Sequence, residues 1–186
     1  MSFEIDYKNG QRFVDRLTPQ LEKKIVKEYS TALKEIRATM AEYYAKYPMS
    51  YQEMSKYKRL QKLEAEIKPI LFEMNSRLER TVNKSLEDIY TNSYNVLGYA
   101  LENNAQFRWA MPPQRAIVEA IENPISGIKV TESLRRNRDY IIGEINGEIT
   151  RGLIRGDSYA EMGRNIKKRL EGNVNKNTLR IARTEA

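Results

Sequence analysis

The sequence predicts an all-α protein: a long antiparallel helical hairpin followed by a small helical bundle. Two observations carry that expectation. Leucine, isoleucine, tyrosine and methionine recur at helical spacing through 186 residues that hold only nine glycines and six prolines, a pattern disordered chains lack. Charged residues make up 31% and hydrophobic residues 40%, polar for a compact globule but ordinary for long exposed helices.

Thr18 as cap, Pro19 at the first position and Glu22 behind them open the first long helix, following the usual preferences of a helix N-terminus. Its apolar positions are Leu21, Ile25, Tyr29, Ala32, Ile36, Met40, Tyr43 and Tyr47, spaced 4, 4, 3, 4, 4, 3 and 4 residues apart. That is an eleven-residue repeat, which keeps the stripe straight or weakly right-handed. Pro48 ends the helix, and Tyr47 before it is biased away from helical geometry. Ser50 and Glu53 then form a capping box for a second helix. Leu60, Leu63, Ile67, Ile70 and Met74 follow with heptad spacing, and Leu78, Val82, Leu86 and Ile89 continue the stripe. Unbroken from Tyr51 to Asn103, that helix would be about 80 Å long, with a kink expected at Pro69. The short stretch between Tyr47 and Ser50 allows only a tight reversal, hence the hairpin.

Nine of the twelve tyrosines lie between Tyr29 and Tyr99. Tyr43, Tyr44, Tyr47, Tyr51 and Tyr57 suggest an aromatic docking patch for a partner at the hairpin tip. The alternative is that amphipathic rings fill a thin seam and keep their hydroxyls wet. Trp109 reads first as an anchor between hairpin and bundle and second as a partner-binding residue. Pro113 opens a short helix ending near Glu122. Thr131 or Ser133 can cap the next, whose apolar positions are Leu134, Ile141, Ile145, Ile149 and Leu153. Gly156 stops it as a left-handed residue, and Ser158 with Glu161 caps another. That helix turns Met162, Ile166 and Leu170 inward and Arg164, Lys167, Lys168 and Arg169 mostly outward. Gly172 is expected to end it, and Asn175 or Asn177 to cap a final helix holding Leu179, Ile181 and Ala182. These elements divide the chain into a lead-in at 1–17, a hairpin arm at 18–105 and a helical domain at 106–186. Nothing in the sequence closes the final helix, so the expectation is that a larger protein continues past Ala186.

With no cysteine and no histidine, disulfides, thiol nucleophiles, Cys/His zinc sites and imidazole acid–base chemistry are excluded. No phosphate-cradling glycine motif or metal-binding acidic loop is present, so no catalysis, cofactor or metal is expected. No apolar run is long enough for a membrane span, and the first residues lack a signal-peptide pattern. The net charge of +7 is uneven: residues 151–186 hold nine Lys or Arg against four Asp or Glu. Such a tail is a solvated helix face or a surface that meets an acidic protein or nucleic acid. Only Tyr159 is aromatic in that stretch, so base stacking is not expected and phosphate contact is the most DNA could receive.

The stretch RGLIRGDSYAEM, the short basic helix after it and the closing RIARTEA resemble the phage head morphogenesis family of minor capsid proteins, in its N-terminal part. The matching elements fall on Gly152, Gly156, Ser158, Ile166, Leu170, Ala182, Arg183, Thr184 and Glu185, and NPISGIKVTESL resembles the family's entry into that helix. The resemblance covers about residues 120–186. It implies a virion protein of few copies at the portal vertex or capsid interior, present in the host cytoplasm during assembly and acting in head assembly or genome delivery. The portal and the major capsid protein are the implied partners; packaged DNA and further copies of the chain are others. Some family members carry an ADP-ribosyltransferase module further on, so a helical leader of such an effector is an alternative. Arg183 and Glu185 are two apart and point to different faces; Arg183 reads most simply as a partly buried residue paired with a carboxylate of a neighbouring helix.

Overall fold

A computed structural model describes residues 3–47, 51–56, 58–104, 108–124, 127 and 129–181. Among these residues about nine-tenths are helical and none is in a strand, as the sequence predicts. The described residues form seven α-helices: α1 (Phe3–Val14), α2 (Leu17–Lys46), α3 (Tyr51–Lys56), α4 (Arg59–Asn104), α5 (Gln114–Glu122), α6 (Val130–Arg155) and α7 (Tyr159–Asn173). A π-helical turn, Val174–Thr178, follows α7.

Helix α2 buries Leu21, Ile25, Tyr29, Ala32, Ile36, Met40 and Tyr43, the stripe expected of it. Its start differs from expectation. The chain leaves α1 at the buried Val14, turns through Asp15 and Arg16 and re-enters a helix at Leu17, with no side-chain cap. Thr18 and Pro19 therefore lie inside the first turn, where a missing N–H goes unnoticed. At the other end Tyr47 is extended, with ψ 134°, as a residue before proline should be. Pro48 and the proposed Ser50 cap lie outside the described residues.

The second helix is two helices. Lys58 has a φ of 52°, a left-handed conformation that breaks the run between α3 and α4. From Arg59 onward α4 is continuous for 46 residues, about 70 Å at 1.5 Å per residue. It passes through Pro69, which sits on the exposed face with Ala65, so water can take the carbonyl that the proline leaves unpaired. The buried seam of α4 is Leu63, Ile67, Leu71, Met74, Leu78, Val82, Leu86 and Ile89. Leu71, and not Ile70, fills the third place, and Leu60 is half-buried. The spacing is thus 4, 4, 3, 4, 4, 4, 3, close to the eleven-residue repeat of α2 instead of a heptad. Two helices that share this period stay face to face with at most a weak right-handed supercoil.

Cross-links set the directions. Arg77 reaches Glu28 at 2.7 Å, Lys24 reaches Ser85 at 3.4 Å, and the Tyr43 hydroxyl donates to the Arg59 carbonyl at 2.9 Å. Residue numbers rise on one helix as they fall on the other, so α2 and α4 are antiparallel. Arg135 to Glu79 at 3.0 Å and Arg138 over the Phe72 ring at 4.0 Å make α6 antiparallel to α4. Tyr44 to Met162 at 3.3 Å and Tyr29 to Thr178 at 2.7 Å run α7 and its π-turn antiparallel to α2. The four long helices close a ring, α2–α4–α6–α7, around one apolar cluster extending from Val14 to Leu179. The hairpin is half of a four-helix bundle. Helices α1 and α5 pack on α4 as well; Gly10 of α1 lies so close that a Cβ would sit 2.5 Å from a Val96 methyl carbon.

Two expected boundaries shift. Helix α6 begins at Val130 with Lys129 at its cap and no side-chain cap bond; burying Val130 above Leu134 starts the helix before Thr131 or Ser133 can cap it. Helix α7 does not stop at Gly172. It widens into the π-turn and continues through Ile181, so Asn175 and Asn177 are not caps. Leu170, Val174 and Leu179 all reach the core, and their spacing of 4 then 5 is what a single wide turn absorbs.

Candidate functional site

The junction between α6 and α7 gathers a dense set of paired charges. Gly156, at φ 76°, closes α6 in the left-handed conformation, and Asp157 N donates back to the Gly152 carbonyl at 2.8 Å. That 6→1 bond is the helix-ending arrangement only glycine adopts cheaply. Gly152 faces the next helix so closely that a Cβ would lie 2.3 Å from Met162 Cγ. Ser158 then caps α7: Ser158 N donates to Glu161 at 2.8 Å, and Glu161 N donates to Ser158 Oγ at 3.3 Å. The bond from the Ser158 backbone, followed by the Ser158 hydroxyl, holds the Glu161 carboxyl below its usual range. Its contribution is therefore present above the carboxyl's unfolded value and is lost as pH falls through the folded one. Ser158→Ala should cost about 1 kcal/mol, lowering the midpoint of a thermal melt by about 2–4 °C.

The cap aims four cations outward, and for one of them, Arg169, the structure supplies partners that linear spacing does not suggest. Arg164 stands 4.0 Å from Glu161, and Lys167 is 3.6 Å from Glu171. Arg169 crosses to α6, 3.2 Å from Glu144 and 3.6 Å from Glu148. Lys168 forms no ion pair among the described residues. Three of them, Arg164, Lys168 and Arg169, line an open basin of about 600 Å³. Arg151, Arg155, Arg164, Lys168 and Arg169 face Glu148, Asp157 and Glu161 across it, five cations against three carboxylates. The basin is therefore positive, and all its arginines are paired.

Glu148 organises it. Its side chain is only 5% exposed and receives Arg151 at 3.0 Å and Arg155 at 3.1 Å. Burial acts to raise this carboxyl, but the hydrogen bonds and charges of the two arginines prevail and hold it below the usual range. Arg155 is pushed further up, first by Asp157 at 2.6 Å and then by Glu148. Arginines held this way are pre-positioned to receive a second anion on their outer edges. Glu148 was absent from the residues singled out in the sequence, yet it stands three after Ile145 on the apolar stripe. An acid on a buried stripe, with arginines three and seven residues later, was the available signal.

The other candidate residues are scattered. Tyr43 is buried, with its ring 4.9 Å from that of Tyr47, and Arg59 lies 4.4 Å over the Tyr47 ring. Tyr44 points the other way, toward Met162 and the Tyr159 ring, 5.9 Å off; burial pushes its hydroxyl up to about 12. Tyr43 and Tyr44 thus pack on different neighbours. The backbone of Tyr51 begins α3, but its side chain and the whole of Tyr57 lie outside the described residues, as do Ala182, Arg183, Thr184 and Glu185. Trp109 is half-buried on α4, stacked against Tyr94 at 4.7 Å and seated directly over Gly98. Its indole nitrogen is buried without a partner. A further polar group was missed by sequence reasoning. Asn137 donates to Thr178 at 2.8 Å and to the Tyr29 hydroxyl at 3.2 Å, inside the bundle. Burial pushes the Tyr29 hydroxyl up to about 12. This trio fixes α2, α6 and the π-turn against one another.

Among the described residues no group of carboxylates could hold a metal ion, and no helix is long and apolar enough to cross a membrane. No protein-family model and no solved structure matches the chain. Two curated proteins do. The minor head protein GP7 of Bacillus phage SPP1 is 28% identical over 180 residues, 94% of this chain and 58% of that protein. The NAD(+)–arginine ADP-ribosyltransferase EFV of Enterococcus faecalis is 30% identical over 140 residues, 74% of this chain and 28% of that protein. The chain thus spans little over half the length of the first relative and about a quarter of the second. The first match runs through both the hairpin and the α6–α7 junction, well beyond the residues that carry the sequence resemblance, and it supports the resemblance to the phage head morphogenesis family.

Proposed function

We propose that this chain is a minor structural protein of a phage head, carried in few copies at the portal vertex or capsid interior, where it serves head assembly, genome delivery or both. The observation that supports this reading most is the match to a minor head protein along 94% of the chain. The surface chosen for docking is the basin between α6 and α7, and the partner is an acidic face of the portal or major capsid protein. Its arginines are already oriented by Glu148, so a partner carboxylate meets a rigid fork at little entropic cost. The role is non-enzymatic: each carboxylate lining the basin is engaged by an arginine, which leaves none poised as a general base.

Replacing Arg164, Lys167, Lys168 and Arg169 together with glutamine tests this reading. The fold should hold, because Met162, Ile166 and Leu170 carry the packing of α7. Incorporation into particles, measured by quantitative mass spectrometry of purified virions, should fall sharply, while DNA retention stays weak and unchanged. Normal incorporation would defeat the reading. If phosphate contact is the function, the log–log salt slope of DNA retention should instead flatten by about three to four.

A second reading, the helical non-catalytic leader of a virion-carried ADP-ribosyltransferase, draws on the 30% identity to such an enzyme. Purified particles that transfer labelled ADP-ribose from NAD to arginine, in step with the amount of this chain, would favour it.

A further inference from the structure

On the flank that α7 turns to α2, a cleft of about 510 Å³ opens between these two antiparallel helices. Val26, Ser30, Leu33 and Arg37 line it from α2, spaced 4, 3 and 4 residues apart; Lys167, Leu170 and Val174 line it from α7, spaced 3 and 4. These are heptad spacings, distinct from the eleven-residue stripe by which α2 meets the core, and heptads are the period at which helices seat their side chains between one another. Leu170 and Val174 are buried, Leu33 is half-buried and Val26 is 45% exposed. From Val26 to Arg37 the strip runs about 17 Å, three turns of a helix. The rim is cationic. Lys34 and Arg37 of α2 and Lys167 of α7 stand against one carboxylate, Glu171, which is 3.6 Å from Lys167. Lys23 and Lys27 extend the exposed face of α2, three and two turns before Lys34. Between Lys23 and Arg37 the helix has two acids, and both serve α4: Glu28 binds Arg77 at 2.7 Å, and Glu35 adds to the field at Arg77. Lys23, Lys27, Lys34 and Arg37 form no ion pair among the described residues, so the α2 rim holds four cations with no counter-charge.

We propose that this cleft is the docking groove for an acidic amphipathic helix of a partner protein. The apolar stripe of that helix lies along Val26 and Leu33, where the small Ser30 lets it approach closely, and its flanking carboxylates meet Lys34 and Arg37 on one side and Lys167 on the other. Complementary charge of this kind sets both the encounter rate and the choice of partner. A nucleic-acid backbone would meet the same cations but gain nothing from Val26 and Leu33, since phosphate contacts are purely electrostatic. The inference rests on the reading that the chain works by docking to other proteins. It concerns a different surface, however, and its test uses the isolated chain and α2 residues absent from the basin, so groove binding and particle incorporation fail separately.

The probe is a fluorescein-labelled peptide of three heptads, each Leu-Glu-Glu-Ala-Leu-Glu-Glu, titrated with the full chain and followed by fluorescence anisotropy. It should bind saturably. A control peptide with serine at every leucine carries the same charge and should bind weaker by about tenfold or more, because it lacks the apolar stripe. Lys34→Glu together with Arg37→Glu should weaken the leucine peptide by about tenfold or more. Arg80→Glu together with Lys84→Glu makes the same charge change on the exposed face of α4 and should weaken it less than about threefold, the effect of screened distant charge. All four positions are exposed, so circular dichroism should be unchanged in both double variants. The proposal is overturned if the leucine peptide does not bind, if the serine peptide binds as well, or if the two double variants lose equal affinity. It is also overturned if a labelled DNA duplex binds in place of the peptide and the Lys34 and Arg37 reversals alone release it, which would assign the groove to nucleic acid.

Discussion

Replacing Leu63 and Ile67 together with aspartate should unfold the whole chain in one transition. Both side chains are fully buried between α2 and α4. Each substitution forfeits about 1.5–3 kcal/mol of side-chain burial and leaves a charge in an apolar seam, several kcal/mol more. The pair therefore matches or exceeds the roughly 5–15 kcal/mol that holds a typical domain together. What distinguishes this structure is how far the damage should spread. A free hairpin arm would melt and leave α6 and α7 intact. Here α6 rests on α4 through Arg135–Glu79 and Arg138 over Phe72, and the π-turn after α7 is tied to Tyr29 of α2. Circular dichroism should thus lose helix from all four elements at once, with matching curves at every wavelength. A variant that keeps the helicity of α6 and α7 would show that residues 106–186 fold as a unit of their own. Leu60→Asp, at a half-buried position, should cost far less.

Much of this fold was legible because the stripe of α2 runs unbroken from Leu21 to Tyr43 at spacings of 3 and 4, so the adjacent Val26, Leu33 and Tyr44 do not displace it. The second stripe was misread by one position for the opposite reason. Ile70, Leu71 and Phe72 are consecutive apolar residues, so spacing alone admits either a heptad through Ile70 or the eleven-residue repeat through Leu71. The partner helix decides. Local chemistry was reliable where the signal is a complete set of groups, as with Gly156, Ser158 and Glu161. It was unreliable where one weak cap competes with burial: Thr131 loses its capping role because Val130 is drawn into the core. The π-turn was invisible for a related reason. Gly172 and the asparagines after it look like a stop, but Val174 and Leu179 both pack inward, and core contacts outweigh a glycine's cost of about 1 kcal/mol. The basic face was visible and its neutralisation was not, since Glu144 and Glu148 lie about twenty residues away in sequence and meet Arg169 only once α6 and α7 fold back on each other.

Gly98→Ala should destabilise the protein, against the ordinary sign of such a change. Inside a helix alanine is favoured over glycine by about 1 kcal/mol, and at an open site that gain is kept. Gly143 of α6 is such a site, with nothing within 4 Å of a built Cβ, so Gly143→Ala should raise the melting temperature by about 2–4 °C. Gly98 is different. A Cβ there would lie 2.0 Å from Cδ2 and 2.1 Å from Cε2 of Trp109, and a rigid ring cannot bend away as a methionine can. Overpacking of this kind costs about 1–3 kcal/mol, and relief comes only if the indole lifts off α4 and gives up its contact with Tyr94. The chain has a single tryptophan, so its emission reports this one event without ambiguity. Gly98→Ala should shift the emission maximum to longer wavelength, as the ring enters water, and lower the melting temperature by several degrees while Gly143→Ala leaves the emission unchanged. An unshifted emission with a raised melting temperature would mean that Trp109 does not sit on Gly98 in solution. The indole would then be free to serve a partner instead of anchoring the segment that leads from α4 into α5.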